Sequence, residues 1–467
     1  MRSGRSARGE PHPALQAGPR PRMRVHGPAH IGEPPHGRTA WHRERVGSCA
    51  TACSYLPLLG GSLLMDTDPN AASCATNFLD ALTAPLVARG ELEKVAWKIG
   101  AEIAGPVADE VDAQARFPVE TVDALRQSGL LAALVPAELG GKGATLLEVA
   151  GAVRAVAMHC TSSALILGMH SIEVFNLVRH GTTPGLRKLL EEVATGRMLL
   201  ANANSEVGLG GDVTRSRCAL EPGTGGGHLE KEALAVSYGE YADGIVTIAR
   251  RSPDAADTDQ IMMVCRAENL TLECTSEWNT MGLRGTCSSG FRLSATIADE
   301  DIFPVPFATI SNDGAAQARQ ILLCAAWVGL AEAAAAKAHA FVRAAARRSI
   351  GALPPSALRL SELAIDVQAA RCQLLGVALQ YAELDRAGYG EDAGLMVALR
   401  SLKVSTSELA VSTATSALQI CGMAGFRRTT PFALDRIIRD AHGGLVMVSN
   451  ERLLGDNAGL LAVRKTL

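Results

Sequence analysis

The chain of 467 residues has few aromatic side chains, little net charge and no long apolar runs. Phe, Trp and Tyr together make up 4% of it, and the net charge at neutral pH is −3. A charge balance this close to zero gives no basis for binding nucleic acid or an acidic membrane. No uninterrupted apolar run approaches the roughly 18 residues that a membrane span needs, and no apolar stretch follows the N-terminal arginines as in a secretory signal. We therefore expect a cytoplasmic protein without a membrane span or a nucleic-acid partner.

Cysteine pairs with the Cys-x-x-Cys spacing are also missing. The chain has 11 cysteines, but none of them forms a Cys-x-x-Cys pair. Scattered cysteines of this kind usually behave as small buried hydrophobic residues in a reducing compartment. The sequence therefore predicts no metal site and no disulfide framework.

The first 64 residues lack aliphatic periodicity and are rich in Arg, Pro, Gly and His. Such a composition cannot bury enough apolar surface to fold. We expect this segment to be disordered, or to be an over-extended start with Met65 as the true initiator. A basic tail that binds a partner is the functional alternative.

The rest of the chain predicts a mainly α fold with a central antiparallel, barrel-like β domain. Residues 65–197 form the first helical domain, in which Phe117-Pro118 opens one helix and Gly129 ends it. Residues 198–308 contain short β-type runs separated by turns. Residues 309–467 return to long, alanine-rich helices that suit an up-down four-helix-bundle-type domain.

A glycine-rich stretch, residues 205–213, lies close to where the predicted secondary structure changes from helix to strand. We call it the glycine loop; it contains Gly208, Gly210 and Gly211. Glycine allows the backbone to adopt positive φ and to approach a ligand closely. Several N–H groups in such a loop can face an acidic or flat polar ligand, although many glycine-rich loops are plain turns.

Five segments in this order resemble motifs of the acyl-CoA dehydrogenase superfamily of FAD proteins, over about residues 70–467. The segments are residues 117–141, 205–213, 278–288, 419–425 and 439–441. They resemble, in turn, the family's Phe-Pro to Gly-Gly opening, its TEPGAGSDV flavin loop, its MG.R.T.S stretch, its QI.GG.G junction and its RDA motif. Each match is modest alone, but five in order are specific.

The resemblance implies an FAD site, with FMN as the alternative cofactor. Ser205 matches the loop threonine that bonds the flavin ring, and Ser237 matches the threonine beside flavin N5. Arg347 matches an arginine that a neighbouring subunit contributes to the pyrophosphate, which implies a homodimer or homotetramer. The other implied cofactor residues are Gly210, Gly211, Ser349, Gln419, Gly422, Gly425 and Asn450.

The family reaction, dehydrogenation of an acyl thioester at its α and β carbons, needs a carboxylate base. Most members have it nine residues after the Arg of the RDA motif, where this chain has Val448. A second family position falls at Arg319 or Gln320, and neither is a carboxylate. Glu451 is the nearest candidate base, with a helix-terminal charge as its structural alternative.

Two further substitutions depart from the family pattern. Ala235 replaces the tryptophan that backs the flavin, and Ile350 replaces an aromatic residue.

The resemblance also implies partners. They are acyl-CoA or an acyl-carrier thioester as substrate and an electron-transfer flavoprotein as electron acceptor.

The missing base raises a second hypothesis, a flavin monooxygenase of the same fold, while an acyl-CoA dehydrogenase-like oxidoreductase that acts on an acyl thioester stays the preferred prediction. Such monooxygenases use reduced flavin and O₂, take the flavin from a reductase, and need a proton donor. His170 and His442 are candidates, although either can equally be a satisfied core histidine. A third hypothesis is a catalytically silent flavin-fold protein that serves as a binding partner.

Overall fold

The computed structural model describes residues 90–348, 353–388 and 392–463. The proposals for residues 1–64 and for Met65, Ser349 and Ile350 lie outside the described residues. The N-terminal helices are α1 (Glu91–Ile99), α2 (Gly105–Gln114), α3 (Val119–Gln127), α4 (Leu146–Ala157), α5 (Thr161–His180) and α6 (Pro184–Ala194).

Local sequence signals set several of these helix boundaries. Helix α3 begins directly after Pro118, as predicted, and Gly129 follows its end with φ of 72°. Helix α4 starts with a capping box, in which Thr145 and Glu148 satisfy each other's backbone N–H groups. Helix α5 is buried over most of its surface and runs through the core of this region.

The central strands form two four-stranded sheets. They are β1 (Leu200–Ala203), β2 (Leu220–Gly223), β3 (Gly226–Ala233), β4 (Gly244–Arg250), β5 (Gln260–Arg266), β6 (Leu270–Ser276), β7 (Gly290–Ala298) and β8 (Ile302–Pro306). One sheet has the order β1-β4-β5-β8 and the other β2-β3-β7-β6. The predicted fold class, mainly α with a central β domain, is confirmed.

One pair of strands departs from the antiparallel prediction. Strand β1 pairs with β4 in parallel, with Leu200 opposite Gly244 and Ala203 opposite Thr247. A parallel pair needs a long crossover connection. The forty residues between β1 and β4, which contain the glycine loop and the β2–β3 hairpin, provide it. The glycine loop therefore follows the carboxyl end of β1, an edge strand of its sheet.

The C-terminal helices are α7 (Phe307–Ile310), α8 (Ala316–Ala346), α9 (Ala357–Arg386), α10 (Ala393–Cys421), α11 (Met423–Phe426), α12 (Asp435–Val446) and α13 (Asn450–Val463). Helix α8 packs against α4, α5, α9 and α10 and so joins the two helical regions. A buried ion cluster supports this contact, since Arg154 of α4 and Arg371 of α9 both bind Glu332 of α8.

Two helical segments, Thr161–His180 and Phe307–Ala346, are long and apolar enough to cross a membrane. The most apolar part of each is mostly buried inside the protein. Burial against other helices accounts for their composition, because core helices are apolar all round.

Candidate functional site

The glycine loop lies against the end of β3 and the segment that follows it. The Ser205 hydroxyl donates to the carbonyl of Ala235 over 3.4 Å, and the Val207 N–H donates to the carbonyl of Glu232 over 3.2 Å. Ser205 and Ser237 are two of the predicted flavin contacts and are about thirty residues apart in sequence. These hydrogen bonds bring the segments that carry them close together.

Glu206 anchors the loop rather than facing a ligand. It is buried, accepts the Arg217 N–H at 2.7 Å and lies 3.4 Å from the Lys231 ammonium. Burial works to raise the pKa of Glu206, but Lys231 and the hydrogen bonds outweigh it and lower the pKa below its ordinary value. The carboxylate therefore stays charged and holds the loop to the sheet.

The three loop glycines all have left-handed backbone conformations. Their φ angles are 82° at Gly208, 59° at Gly210 and 79° at Gly211. A Cβ on Gly210 or Gly211 would meet no atom within 4 Å, so conformation rather than crowding requires glycine there. Arg452 of α13 donates to the carbonyl of Gly211 over 2.7 Å and links the loop to the last helix.

A chain of hydroxyl groups connects Ser237 to the Trp278 segment, which we define as residues 278–288. Ser237 and Ser288 share a hydrogen bond of 2.8 Å, and Ser288 and Thr286 share another of 2.8 Å. Thr286 donates to the carbonyl of Leu283. The Leu283 N–H in turn donates to Asp440 over 2.6 Å. Two motifs of the sequence thus meet through hydrogen bonds.

Arg439 and Asp440 of the RDA motif fix helix α12 in place. Arg439 makes a two-pronged contact with Asp112 of α2, at 2.8 and 2.5 Å, and also donates to the carbonyl of Met281. Burial raises the pKa of Asp440 to about 6. These contacts make Arg439 and Asp440 a structural joint between α2, α12 and the Trp278 segment.

The expected base positions hold no carboxylate. Val448 is partly buried and has φ of 56°, a left-handed conformation that is rare for a β-branched residue. Glu451 lies exposed in the first turn of α13. Arg319 and Gln320 lie in the second turn of α8. The exposed position of Glu451 suits its structural alternative, a charge in the first turn of a helix.

The two candidate histidines lie in different surroundings. His170 is fully buried; its Nε2 donates to the Leu131 carbonyl at 2.9 Å and its Nδ1 accepts the Leu200 N–H at 3.0 Å. Burial lowers its pKa to about 4. Both ring nitrogens are thus occupied in the core. His442 is partly buried and uses Nδ1 to bond the Ile438 carbonyl one helical turn earlier, which leaves Nε2 available.

The remaining cofactor candidates lie in the C-terminal helices. Arg347 is exposed at the end of α8, and Gln419 accepts a 2.5 Å hydrogen bond from Arg359. Gly422, with φ of 56°, ends α10, and Gly425 is buried beneath it. Asn450 is held by Lys403 and Ser407 of α10. Their roles toward a cofactor stay predictions.

Comparison with known families agrees with this arrangement. Profiles described as "Acyl-CoA dehydrogenase, N-terminal domain" and "Acyl-CoA dehydrogenase, C-terminal domain" match residues 91–197 and 313–446, which together are just over half of the chain. The chain belongs to the acyl-CoA dehydrogenase family. Members of this family are flavoprotein oxidoreductases that bind FAD, and some relatives with the same fold bind FMN.

The relatives include proteins named for different chemistries. Probable acyl-CoA dehydrogenase FadE25 of Mycobacterium tuberculosis is 27% identical over 72% of this chain and 85% of its own length. L-evernosamine nitrososynthase of a Micromonospora species is 28% identical over 78% of this chain and 87% of its own length. FMN-bound TdsC of Paenibacillus sp. A11-2 has the same fold, with a TM-score of 0.71 at 20% identity, over 80% of this chain and 97% of TdsC.

The residues around the glycine loop fit a flavin of the acyl-CoA dehydrogenase family. Val207 and Leu234 are 43% and 61% exposed beside the hydroxyls of Ser205 and Ser237. An apolar surface flanked by hydroxyl groups suits a flat ring with one polar edge. The open space around Gly210 and Gly211 leaves their backbone free to approach such a ring.

A polar cluster that sequence reasoning did not single out as a site lies beside the loop. We call Glu173, Asn176, Asn202 and Arg319 the Arg319 cluster. Glu173 is 2% exposed and accepts hydrogen bonds from Asn202 at 2.6 Å and Asn176 at 3.1 Å. Burial raises its pKa to about 7, while the two amides and Arg319 act to lower it. The available signal was a charged residue inside an apolar stretch of each of two helices.

Proposed function

We propose that this protein is a flavin-dependent oxidoreductase that uses reduced flavin and O₂ to oxygenate a polar substrate, as in the monooxygenase-like branch of its family. The observation that carries the proposal is the absence of a carboxylate at both expected base positions, Val448 and Arg319–Gln320. Dehydrogenation of a thioester needs a base within about 3 Å of the α proton. Valine cannot accept a proton, and arginine keeps its own.

Oxygenation needs no base that removes a proton from a substrate carbon. In the overall reaction, substrate, O₂ and reduced flavin give oxygenated substrate, water and oxidised flavin. Reduced flavin supplies the two electrons and activates O₂, and an NAD(P)H-dependent flavin reductase supplies the reduced flavin. Ser205, Ser237 and the glycine loop would hold the ring, and the Ser237–Ser288–Thr286 hydroxyls can hold a proton beside it.

Two of the similar proteins support this choice by name, while others such as FadE25 are named as dehydrogenases. The nitrososynthase relative and the fold neighbour TdsC, a dibenzothiophene monooxygenase, are not named as dehydrogenases. His442, whose Nε2 is available, is the better-placed histidine for proton donation, because both nitrogens of His170 are occupied.

The test compares two reactions of one purified flavoprotein. Anaerobic mixing of the oxidised protein with acyl-CoAs of four to sixteen carbons should leave the flavin absorbance unchanged, while dithionite still bleaches it. Chemically reduced protein mixed with O₂ and candidate substrates should form oxygenated product. Bleaching by an acyl-CoA would overturn the proposal.

Oxidation of an acyl-CoA or acyl-carrier thioester, with an electron-transfer flavoprotein as acceptor, is the second candidate. The buried carboxylate of Glu173 favours it, because burial raises the pKa of Glu173 to about 7, which suits a general base near neutral pH. In that case acyl-CoA would bleach the wild-type flavin and Glu173→Gln would abolish the bleaching.

We propose further that FAD binds across a homodimer or homotetramer interface, with Arg347 reaching the neighbour's cofactor. Arg347 is exposed, and no side chain among the described residues pairs with it. Leu358 and Ile365 of α9 are 71% and 68% exposed and lie two helical turns apart, which is typical of a subunit contact.

Sedimentation and FAD content test this assembly. Ile365→Asp should give smaller particles and lose FAD, whereas Asp366→Ala, at an exposed position about 100° further around the same helix, should change neither. An Ile365→Asp protein that stays assembled with FAD would contradict the interface. An intact wild-type oligomer that neither retains nor rebinds FAD would instead support a catalytically silent binding protein.

A further inference from the structure

Arg319 interrupts a long buried surface of helix α8. Every residue from Gln317 to Ala334 is buried except Arg319. No side chain or carbonyl among the described residues accepts a hydrogen bond from its guanidinium, and no carboxylate lies within ion-pair distance. Arg319 is half-buried, so its side chain stays partly accessible at one gap in an otherwise buried helix. Arginine in such a place is rarely left without a partner.

Among the described residues, the counter-charge that acts on Arg319 is Glu173, which is held by other partners. The positive charge of Arg319 stabilises ionised Glu173, but both oxygens of Glu173 are already bonded, one to Asn202 and one to Asn176. The two side chains share no hydrogen bond. The donors of Arg319 therefore stay free to bind an arriving group.

Two buried acceptors near the cluster also lack donors. The side-chain carbonyls of Asn176 and Asn204 are buried without a hydrogen-bond partner in the described part of the chain. Asn204 directly precedes Ser205, and its N–H bonds to Asn202. Buried acceptors of this kind usually meet a ligand or an ordered water.

The Arg319 cluster lies beside the glycine loop. Arg452, which bonds the Gly211 carbonyl, is close enough to Arg319 for its charge to oppose that of Arg319. Strand β1 carries Asn202 and leads directly into the loop. The Arg319 cluster and the predicted flavin edge therefore border the same space.

We propose that Arg319 binds an oxyanion of the substrate, and that Asn176 and Asn204 accept hydrogen bonds from hydroxyl or amino groups of the same molecule. This inference rests on the proposed function, because it names the substrate class of that site: a polar acid rather than a plain fatty acyl chain. An aliphatic chain packed here would bury an unpaired guanidinium, which is strongly unfavourable. The oxyanion is a carboxylate or a phosphate.

Ligand binding to the oxidised flavoprotein tests the inference without turnover. The probes are hexanoate with hexanamide, and hexyl phosphate with hexanol, so that each pair differs in charge at constant chain length. The flavin difference spectrum and thermal shift report affinity. Wild type should prefer at least one anion over its neutral partner about tenfold, which is the range for a charge-assisted hydrogen bond. The pair that shows the preference distinguishes carboxylate from phosphate.

Three variants of the cluster and one control separate binding from structure. Arg319→Gln should reduce the preference below about twofold, and Arg319→Lys should retain part of it. Arg292→Gln, on an exposed strand far from the cluster, should match wild type. Glu173→Gln removes the competing negative charge and should strengthen anion binding about threefold.

The inference is overturned if wild type shows no anion preference, or if Arg319→Gln retains it. If Arg319 serves only as a counter-charge for Glu173, Glu173→Gln will leave every affinity unchanged, which also overturns it. Since no oxygen or reductant is present, failure of oxygenation leaves this result unaffected, and failure here leaves oxygenation open.

Discussion

The two faces of the candidate site differ in how much of the family pattern they retain. On the predicted flavin side, contacts to β3, to Ala235 and to the Trp278 segment fix Ser205, Ser237 and the glycine loop. On the substrate side, Val448 and Arg319 occupy the positions of the base. Because the cofactor requires the same contacts in any reaction, the residues on the flavin side can stay constant while those on the substrate side change. The comparison assigns the proposed difference in chemistry to α8, α5 and the turn before α13.

The largest expected effect comes from breaking the joint that both faces share. Arg439→Ala leaves buried Asp112 without its two-pronged partner and frees the Met281 carbonyl. We expect a loss of about 3 kcal/mol in the free energy of unfolding, typical of a broken buried pair. Urea denaturation measures it. Arg292→Ala, which removes an exposed pair with Glu273, should cost no more than about 0.5 kcal/mol. Equal costs would show that the joint is not structural.

A smaller effect, dependent on pH, distinguishes the substrate side from the flavin side. Burial raises the pKa of Glu173 from 4.5 to about 7, so ionisation opposes folding as pH rises from 4.5 to 7. The free energy of unfolding of Glu173→Gln should therefore rise by about 2–3 kcal/mol relative to that of wild type as pH increases over this range. The difference between the two proteins should level off above pH 7. Asn176 can turn its free carbonyl toward the new amide.

The charged and titratable groups that face Glu173 are Arg319 and Tyr238, and neither changes its charge in this window. His170 acts in the opposite direction: its pKa is lowered to about 4, so wild type and variant lose stability equally as pH falls below 6.5. Thermal melts of both proteins from pH 4.5 to 8 measure the difference. A difference independent of pH would contradict an ionisable, buried Glu173.

The smallest effect concerns the loop backbone. Gly211→Ala places a side chain at φ of 79° and should lower the free energy of unfolding by about 1 kcal/mol. It should also weaken FAD binding. Gly459→Ala is the matched control, because Gly459 lies exposed within α13 with equal free space around it. Alanine there should stabilise the protein by about 0.5–1 kcal/mol. Equal effects at the two positions would show that the loop conformation is not constrained.

The sequence predicts the flavin side better than the substrate side, and the reason is local. The glycine loop and the RDA motif are short segments whose residues act together, so spacing alone identifies them. Counting from Arg439 also locates Val448. Glu173 and Arg319 are 146 residues apart and meet only through the packing of α5 on α8. No pattern within either helix indicates that contact.

The surroundings of His170 and the pairing of β1 also depend on residues that are distant in sequence, so the sequence did not predict them. The partners of His170, the Leu131 carbonyl and the Leu200 N–H, lie 39 and 30 residues away in sequence. Its occupied nitrogens could not be foreseen from the apolar helix around it. The parallel pairing of β1 with β4 likewise depends on a long crossover, whereas short turns favour the antiparallel arrangement that the sequence predicts.

The backbone at Val448 has a consequence for how this family changes its chemistry. A left-handed conformation is unfavourable for valine, yet the chain adopts it where relatives would carry their base. The surrounding structure therefore imposes this conformation on the valine. Two of the four valine codons become glutamate codons by a single nucleotide change. A descendant of this protein could acquire a carboxylate at this point in one mutational step, on a scaffold that needs no rebuilding.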